Sequence, residues 1–229
     1  MKPIIKPYHK MGAVYSVVLE MGDVYLATSN LVHGKAVYGE QLIKVGAEEY
    51  RLWDPYRSKL AAAIIKGLPS MPIRSGSGVL YLGAATGTTV SHVSDIVGIE
   101  GRVYAVEFSP RSLRELVNNL STRMNVFPVL ADVRLPYSYK PILEKVDVIY
   151  CDVAQPEQAR ILADNVELFL RTGGSALLVV KARSVDSTKK PEKVFREEVS
   201  ALKHRGLKVK ALTPLEPYDK DHIMVLIEG

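Results

Sequence analysis

The sequence predicts an α/β fold: a mostly parallel, Rossmann-like seven-stranded sheet with helices on both faces and a terminal antiparallel hairpin, preceded by a small antiparallel β domain. Three observations carry this. From about residue 79 onward, short β-rich apolar runs alternate with segments of helical period, the pattern of parallel strands joined by helical crossovers. The last two runs, 207–212 and 222–228, are separated by a loop too short for a helical crossover, so they should pair antiparallel. The first fifty residues show strand-like text and no helical period.

The elements follow in order. Val14-Tyr15-Ser16-Val17-Val18-Leu19 and Val24-Tyr25-Leu26-Ala27-Thr28 flank a Gly22-Asp23 turn, a Gly-X pair suited to a tight hairpin with a positive φ at its first central residue. Gly34-Lys35 and Gly39 punctuate a further strand pair ending near Lys44-Val45, so residues 1–53 read as one small β domain and 54–229 as the second. Asp54 is a preferred N-cap and Pro55 suits a first helical turn. Tyr56, Leu60 and Ile64 then recur at helical spacing, and Gly67 supplies the stop. After that come strand 79–82, helix 88–97, strand 102–107, a helix opened by Ser109-Pro110, and strands 126–131 and 146–151. A helix from Pro156 to near Arg171, strand 175–181, a basic loop, helix 191–204 and the closing strand pair complete the chain. This layout is that of class I methyltransferases, not of the usual dinucleotide dehydrogenases.

Composition excludes other classes. Of 229 residues 47% are apolar and 24% charged, ordinary globular usage with enough apolar mass for a core. The longest apolar runs, 175–180 and 223–227, fall far short of the ~20 residues of a membrane span. No secretory signal is expected at the N-terminus, and Cys151, the sole cysteine, permits no internal disulfide, so a cytoplasmic, reducing setting is expected. A net charge of +5 permits a polyanionic partner. No metal site is expected.

Leu82-Gly83-Ala84-Ala85-Thr86-Gly87-Thr88-Thr89 follows the first strand of the alternating region and opens a helix, at the carboxyl edge where ligands bind in open α/β sheets. Ala85 stands where a dinucleotide fingerprint has its second glycine, and no P-loop lysine follows. Glu107 ends the next strand, 24 residues after Gly83, where a carboxylate can accept from both hydroxyls of a ribose, with Phe108 beside it. Asp132-Val133 ends the third strand, where a carboxylate can accept from an adenine amine. Asp152-Val153-Ala154-Gln155 ends the fourth. Three carboxylates above one glycine turn suit a ligand with a ribose, an adenine amine and a cationic group, and S-adenosylmethionine has all three. The candidate cofactor residues are Gly83, Ala84, Thr88, Thr89, Glu107, Phe108, Asp132, Val133, Asp152, Val153, Ala154 and Gln155. Lys181 ends an apolar strand at the same edge, Lys59 lies in the preceding helix, and His222 opens the last strand.

Across nearly its whole length the sequence resembles the fibrillarins in their archaeal-type form. The resemblance rests on Tyr50-Arg51-Leu52-Trp53-Asp54-Pro55-Tyr56-Arg57-Ser58-Lys59-Leu60-Ala61-Ala62, on Leu82-Gly83-Ala84-Ala85-Thr86-Gly87-Thr88-Thr89-Val90-Ser91-His92, on Asp152-Val153-Ala154-Gln155-Pro156, on Lys181-Ala182-Arg183-Ser184 and on Asp221-His222. Asp54 and Tyr56 stand where Asn and Phe are usual, and the Gly/Arg-rich extension of the nuclear members is missing. The resemblance implies methyl transfer from S-adenosylmethionine to the 2′-hydroxyl of an RNA ribose. It implies a Lys-Asp-Lys-His catalytic set, which falls on Lys59, Asp152, Lys181 and His222. Burial and a neighbouring cation make an ammonium easier to deprotonate, so Lys181 is expected to accept or steer the hydroxyl proton, with Lys59 supplying that cation. Asp152 would orient Lys181 and the donor's amine, and His222 would hold the ribose or its phosphate.

The resemblance also implies that target choice falls to a box C/D guide RNA, held by a Nop-domain scaffold protein and a kink-turn-binding ribosomal-type protein, with ribosomal and perhaps transfer RNA as targets. Arg57, Arg183, Lys189 and Lys190 are the candidate contacts to RNA phosphates. Six of the twelve tyrosines (Tyr8, Tyr15, Tyr25, Tyr38, Tyr50, Tyr56) fall in the first 56 residues, and this unit is the candidate scaffold-facing surface. A stand-alone RNA methyltransferase and a non-catalytic subunit of an RNA–protein complex are the alternatives.

Overall fold

The computed structural model describes residues 3–8, 11–19 and 22–228. Among them the N-terminal strands are β1 (Ile4–Pro7), β2 (Val14–Val18), β3 (Val24–Ser29), β4 (Leu42–Val45) and β5 (Glu48–Leu52). They form one antiparallel sheet in the order β1-β2-β3-β5-β4. Then follow α1 (Lys59–Ile65), β6 (Gly78–Leu82), α2 (Thr88–Val97), β7 (Arg102–Glu107), α3 (Pro110–Leu120), β8 (Val126–Leu130) and β9 (Val146–Cys151). The chain continues with α4 (Gln158–Phe169), β10 (Leu170–Lys181), a short α5 (Ala182–Val185), α6 (Pro191–His204), β11 (Lys208–Pro214) and β12 (His222–Glu228). The second sheet has the order β11-β12-β10-β9-β6-β7-β8. Its strands run parallel except β12, which is antiparallel to both β10 and β11.

The fold class and most element positions agree with the sequence reading, and the differences have local causes. Asp54 does not cap α1. Its carboxylate takes the Tyr56 N–H at 2.8 Å in an Asx turn, and Ser58 is the cap instead, its hydroxyl facing the Ala61 N–H at 3.4 Å. Lys59 thereby becomes the first residue of the helix. The further strand pair lies at residues 42–52 around Gly46, not before Val45, because 30–41 is spent on a loop held by Glu40 and Glu49. Residues 4–7 also add an edge strand that the sequence did not announce. Gly22 has the positive φ (+85°) expected of the hairpin, whose residues 20 and 21 lie outside the described residues. The helix read from Pro156 to Arg171 is α4, 158–169; β10 begins at once and pairs irregularly through 170–175.

The large sheet is coated on both faces. On one, α1, α2 and α3 cover Val79, Tyr81, Val103 and Leu177; on the other, α4 and α6 cover Leu80, Leu82, Ile149 and Leu178. Met11, Val14, Leu26 and Trp53 of the N-terminal region belong to the first of these cores, which runs across the 53/54 boundary between the proposed domains. Strand order reverses between β6 and β9: β7 and β8 lie beyond β6, while β10 lies beyond β9. A cleft forms at such a reversal, outside the carboxyl ends of the strands.

Candidate active site

Gly83 directly follows β6 at that reversal. A Cβ on it would fall 2.8 Å from the Asp152 carbonyl oxygen, and its φ is +85°, so only glycine lets the loops after β6 and β9 touch. The Asp152 N–H donates to the Leu82 carbonyl at 2.9 Å and seals the contact. Ala85 takes a left-handed φ of 47° without being glycine. That conformation costs about 1–2 kcal/mol, and the Ala85 N–H is held by Glu107 Oε2 at 2.8 Å. Oε1 of Glu107 takes the Ser109 N–H at 2.8 Å. The carboxylate is thus clamped by one backbone donor on each oxygen, leaving further lone pairs for a pair of ribose hydroxyls. Phe108 beside it is 63% exposed, an open aromatic face for a purine.

Asp132 accepts a fork of bonds from the Arg134 guanidinium at 2.6–3.0 Å and the Arg134 N–H at 2.9 Å. Those bonds hold its carboxyl below the ordinary aspartate value despite some burial. Val133 and Val153 pack into the core, so a ligand meets their backbone, not their side chains. Thr89 Oγ donates to Ser58 Oγ at 3.0 Å. Its hydroxyl is therefore spent on joining the glycine-turn helix to the start of α1.

The predicted chemistry set comes together from four separate segments. Lys181 Nζ lies 2.7 Å from Asp152 Oδ1 and donates to the Asp152 carbonyl oxygen at 3.0 Å. Lys59 Nζ lies 3.5 Å from Asp152 Oδ2. His222 is the direct register partner of Lys181 across β12 and β10. The side chains of Lys59, Asp152, Lys181 and His222 are 24, 13, 13 and 17% exposed, so the cluster is accessible but mostly walled by protein.

Three residues of this cluster escaped the sequence reading. Asp219 puts Oδ1 2.9 Å from His222 Nδ1 and Oδ2 3.6 Å from Lys59 Nζ. Gln158, fully buried, takes the Lys181 N–H on Oε1 at 3.0 Å and donates from Nε2 to the Val153 carbonyl at 2.9 Å. It ties the end of β10 to the loop after β9. Ser58 caps the helix that begins with Lys59. A glutamine, a serine and a second aspartate are common surface residues, and nothing in their sequence spacing marks them. Proximity does.

The basic rim is partly committed. Arg57 donates to the Tyr38 carbonyl at 2.9 Å with its guanidinium 4.7 Å from the Tyr38 ring centroid. Arg183 pairs with Asp221 at 2.9 Å, Lys189 pairs with Glu197 and Asp186, and Lys190 is exposed. Beyond Arg57 a cavity of about 670 Å³ opens, lined by Tyr8, Tyr25, Tyr38, Trp53, Tyr56 and Tyr218 among others. The carboxylates Glu107, Asp132 and Asp152 are not part of its wall.

The residues present fit S-adenosylmethionine. Besides the Glu107 clamp and the Phe108 face, Asp152 offers a mostly buried carboxylate whose Oδ1 faces the Lys181 ammonium at 2.7 Å and whose Oδ2, 3.5 Å from Lys59, has lone pairs to spare. Such an oxygen suits a cationic amine donor. Among the described residues no group of His, Cys, Asp or Glu has the arrangement of a metal site, and no helix is long and apolar enough to cross a membrane.

Comparison with known proteins agrees with the geometry. A family model described as fibrillarin matches residues 5–228. The fibrillarin-like rRNA/tRNA 2′-O-methyltransferase of Staphylothermus marinus is 55% identical over 221 residues, covering 96% of this chain and 94% of the relative. The crystal structure of Aeropyrum pernix fibrillarin with natively bound S-adenosyl-L-methionine superposes with a TM-score of 0.93 at 46% identity, covering 99% of each chain. A chain of a fibrillarin/Nop5p complex superposes at 0.84 with 43% identity, covering 95% of this chain and 97% of that one.

Proposed function

The chain belongs to the fibrillarin family, and from that premise we propose that it methylates the 2′-hydroxyl of a ribose in ribosomal RNA, and in transfer RNA as the relatives' names extend it. It is an S-adenosylmethionine-dependent RNA methyltransferase and a component of a box C/D ribonucleoprotein. A Nop-domain scaffold protein is its partner. The guide RNA that selects the nucleotide, the kink-turn-binding protein and a cytoplasmic location are parts of the proposal.

The observation that carries the reading is the convergence of Lys59, Asp152, Lys181 and His222 on one edge of the sheet, beside the glycine turn. S-adenosylmethionine supplies a methyl group already activated by its sulfonium. What remains for this chain is to seat the hydroxyl in line and give its proton somewhere to go. Lys181 is the residue for that proton, held at its backbone by Gln158 and at its ammonium by Asp152. Lys59 supplies the neighbouring positive charge, Asp152 orients both lysines, and His222 takes the ribose. Of the basic rim, Lys190 is exposed for phosphate, and Arg57, Arg183 and Lys189 would exchange internal acceptors for it.

The tyrosine-lined cavity is the proposed seat of the scaffold protein. Tyr56 and Tyr25 are 69% and 41% exposed at its mouth, amphipathic rings of the kind that anchor protein interfaces. Tyr25→Ala with Tyr56→Ala should weaken scaffold binding by at least about tenfold, read by calorimetry. Unchanged affinity would remove the scaffold from this face.

The reading as a whole is tested by labelled methyl transfer to a short RNA, first with protein alone, then with guide RNA, scaffold and kink-turn binder. Transfer confined to the full assembly, at one nucleotide set by the guide, is the expected result. Efficient transfer by the protein alone would make it a stand-alone enzyme.

A further inference from the structure

The loop between β11 and β12 delivers a carboxylate to the catalytic cluster from a fixed base. Leu215 in this loop is fully buried, and its carbonyl takes the N–H groups of Tyr218 and Asp219 at 2.9 and 3.2 Å. The Tyr218 ring packs edge-on against Tyr56 at 5.1 Å, joining the loop to the turn before α1. From that base Asp219 reaches two members of the catalytic set at once, His222 at 2.9 Å and Lys59 at 3.6 Å.

Resting on the methyltransferase reading above, we propose that Asp219 is the positioning residue of the centre. It fixes His222 with its proton on Nδ1 and a bare Nε2, and it shares the Lys59 ammonium with Asp152. The histidine half follows from its neighbours. Nδ1 faces the Lys220 carbonyl at 2.6 Å and Asp219 Oδ1 at 2.9 Å, and both can only accept. Nδ1 must therefore carry the hydrogen, which leaves Nε2 of the neutral ring as an acceptor for a ribose hydroxyl. The lysine half follows from balance. Lys59 Nζ lies between the two carboxylates, 3.5 Å from Asp152 Oδ2 and 3.6 Å from Asp219 Oδ2. Two ammoniums and two carboxylates sum to zero. Without Asp219 both lysines would crowd on Asp152, which already has Lys181 at 2.7 Å. Burial pushes the Asp219 carboxyl up, but the hydrogen bond from His222 and the positive charge of Lys59 outweigh it and hold the group below its ordinary value. Asp219 is thus ionised at neutral pH. A partner one shell behind the reacting atoms commonly sets the tautomer and aim of a functional histidine.

The test has two independent arms. In the full assembly, wild type must first show guide-dependent methylation. Its absence would refute the methyltransferase reading and leave the positioning claim to the second arm. Given that activity, Asp219→Ala should lower kcat by about 10- to 100-fold, with S-adenosylmethionine affinity and the thermal midpoint held. Asp219→Asn keeps an acceptor for His222 and should recover part of the loss. In a His222→Ala background, Asp219→Ala should cost clearly less than in wild type, because the two residues act as one unit. In the second arm, nitrogen-15 spectra of the His222 ring in the protein alone should show a protonated Nδ1 and a bare Nε2, with the Nε2-protonated form rising in Asp219→Ala. Unchanged kcat, full additivity with His222→Ala, or a ring tautomer indifferent to Asp219 would each overturn the proposal.

Discussion

Two clusters of charged side chains join distant segments of this chain, and they are built from different cations. In the first, Arg51 on β5 and Arg123 both clasp Asp95 on α2, at 2.7 and 2.6 Å, and Arg51 also holds Glu40 at 2.6 Å. Every side chain in it is 2% exposed or less. Thr28, Ser91 and Ser94 fill the remaining bonds. His92, stacked on Trp53 at 4.7 Å, closes the network as a neutral ring: burial, then the two guanidiniums, push its pKa well below 6.5. Its nitrogens meet Thr28 and Tyr38 at 2.8 and 2.7 Å. The second cluster, around Asp152, is built from lysines, is partly open, and holds Lys59 only loosely, 3.5 Å from Asp152 and 3.6 Å from Asp219.

The contrast is one of purpose set by chemistry. A guanidinium presents a rigid fork and keeps its proton, so it suits a permanent tie between the N-terminal sheet and α2. An ammonium is compact, movable and able to lose a proton, so it suits a place where a hydroxyl is to be deprotonated. Both clusters balance charge. Only the second is open to an incoming group.

The largest effect should come from the lysine cluster. Lys181→Ala should lower methyl transfer by about 10²- to 10⁴-fold in single-turnover assays, with the unfolding midpoint little changed; retention of most activity would remove Lys181 from proton handling. Asp95→Asn should act in the opposite way. It leaves the buried Arg123 guanidinium without an anion and Arg51 with Glu40 alone, so unfolding free energy should drop by about 3–5 kcal/mol, measured in denaturant, while the protein that remains folded keeps its specific activity. A loss of activity without a loss of stability would dissolve the distinction between the clusters.

Acid should sharpen the comparison next. Burial pushes the Glu40 carboxyl up, but Arg51 and the N–H groups of Tyr38 and Val37 outweigh it and hold it below 4.5. The unfolded chain then binds more protons, so the stability Glu40 contributes is full above its unfolded value and fades as pH falls through the folded one. Glu40→Gln should therefore flatten the decline of stability below pH ~4.5, seen in melts across an acid series. The smallest effect belongs to the joint between the regions: Ser58→Ala removes the α1 cap and the Thr89 bond, costing about 1 kcal/mol, with activity reduced only as far as Lys59 is displaced. An unchanged melt would show the cap to be dispensable.

Short stretches of this chain encode their own local structure. Helices 88–97 and 191–204 and strands 102–107, 146–151 and 222–228 lie where their periodicity and capping residues put them, because turn chemistry and hydrophobic period are local. The glycine turn and the carboxylates at the strand ends were legible because each ends an element the pattern defines, whereas Lys59, Asp152, Lys181 and His222 were marked as a set by the family motifs alone. The N-terminal strand pair and the start of α1 were not, since Asp54 is equally at home in an Asx turn and as a cap, and packing chose the turn. Asp219, Gln158, Ser58 and the Arg51–Asp95–Arg123 tie were decided only by the tertiary structure. Gln158 meets Lys181 23 residues away, Ser58 meets Thr89 31 away, and Arg123 and Arg51 meet Asp95 28 and 44 away, while Asp219 reaches Lys59 from the opposite end of the chain. A hydrogen bond or ion pair depends on distance in space, and sequence spacing carries no record of it until the sheet order has been set.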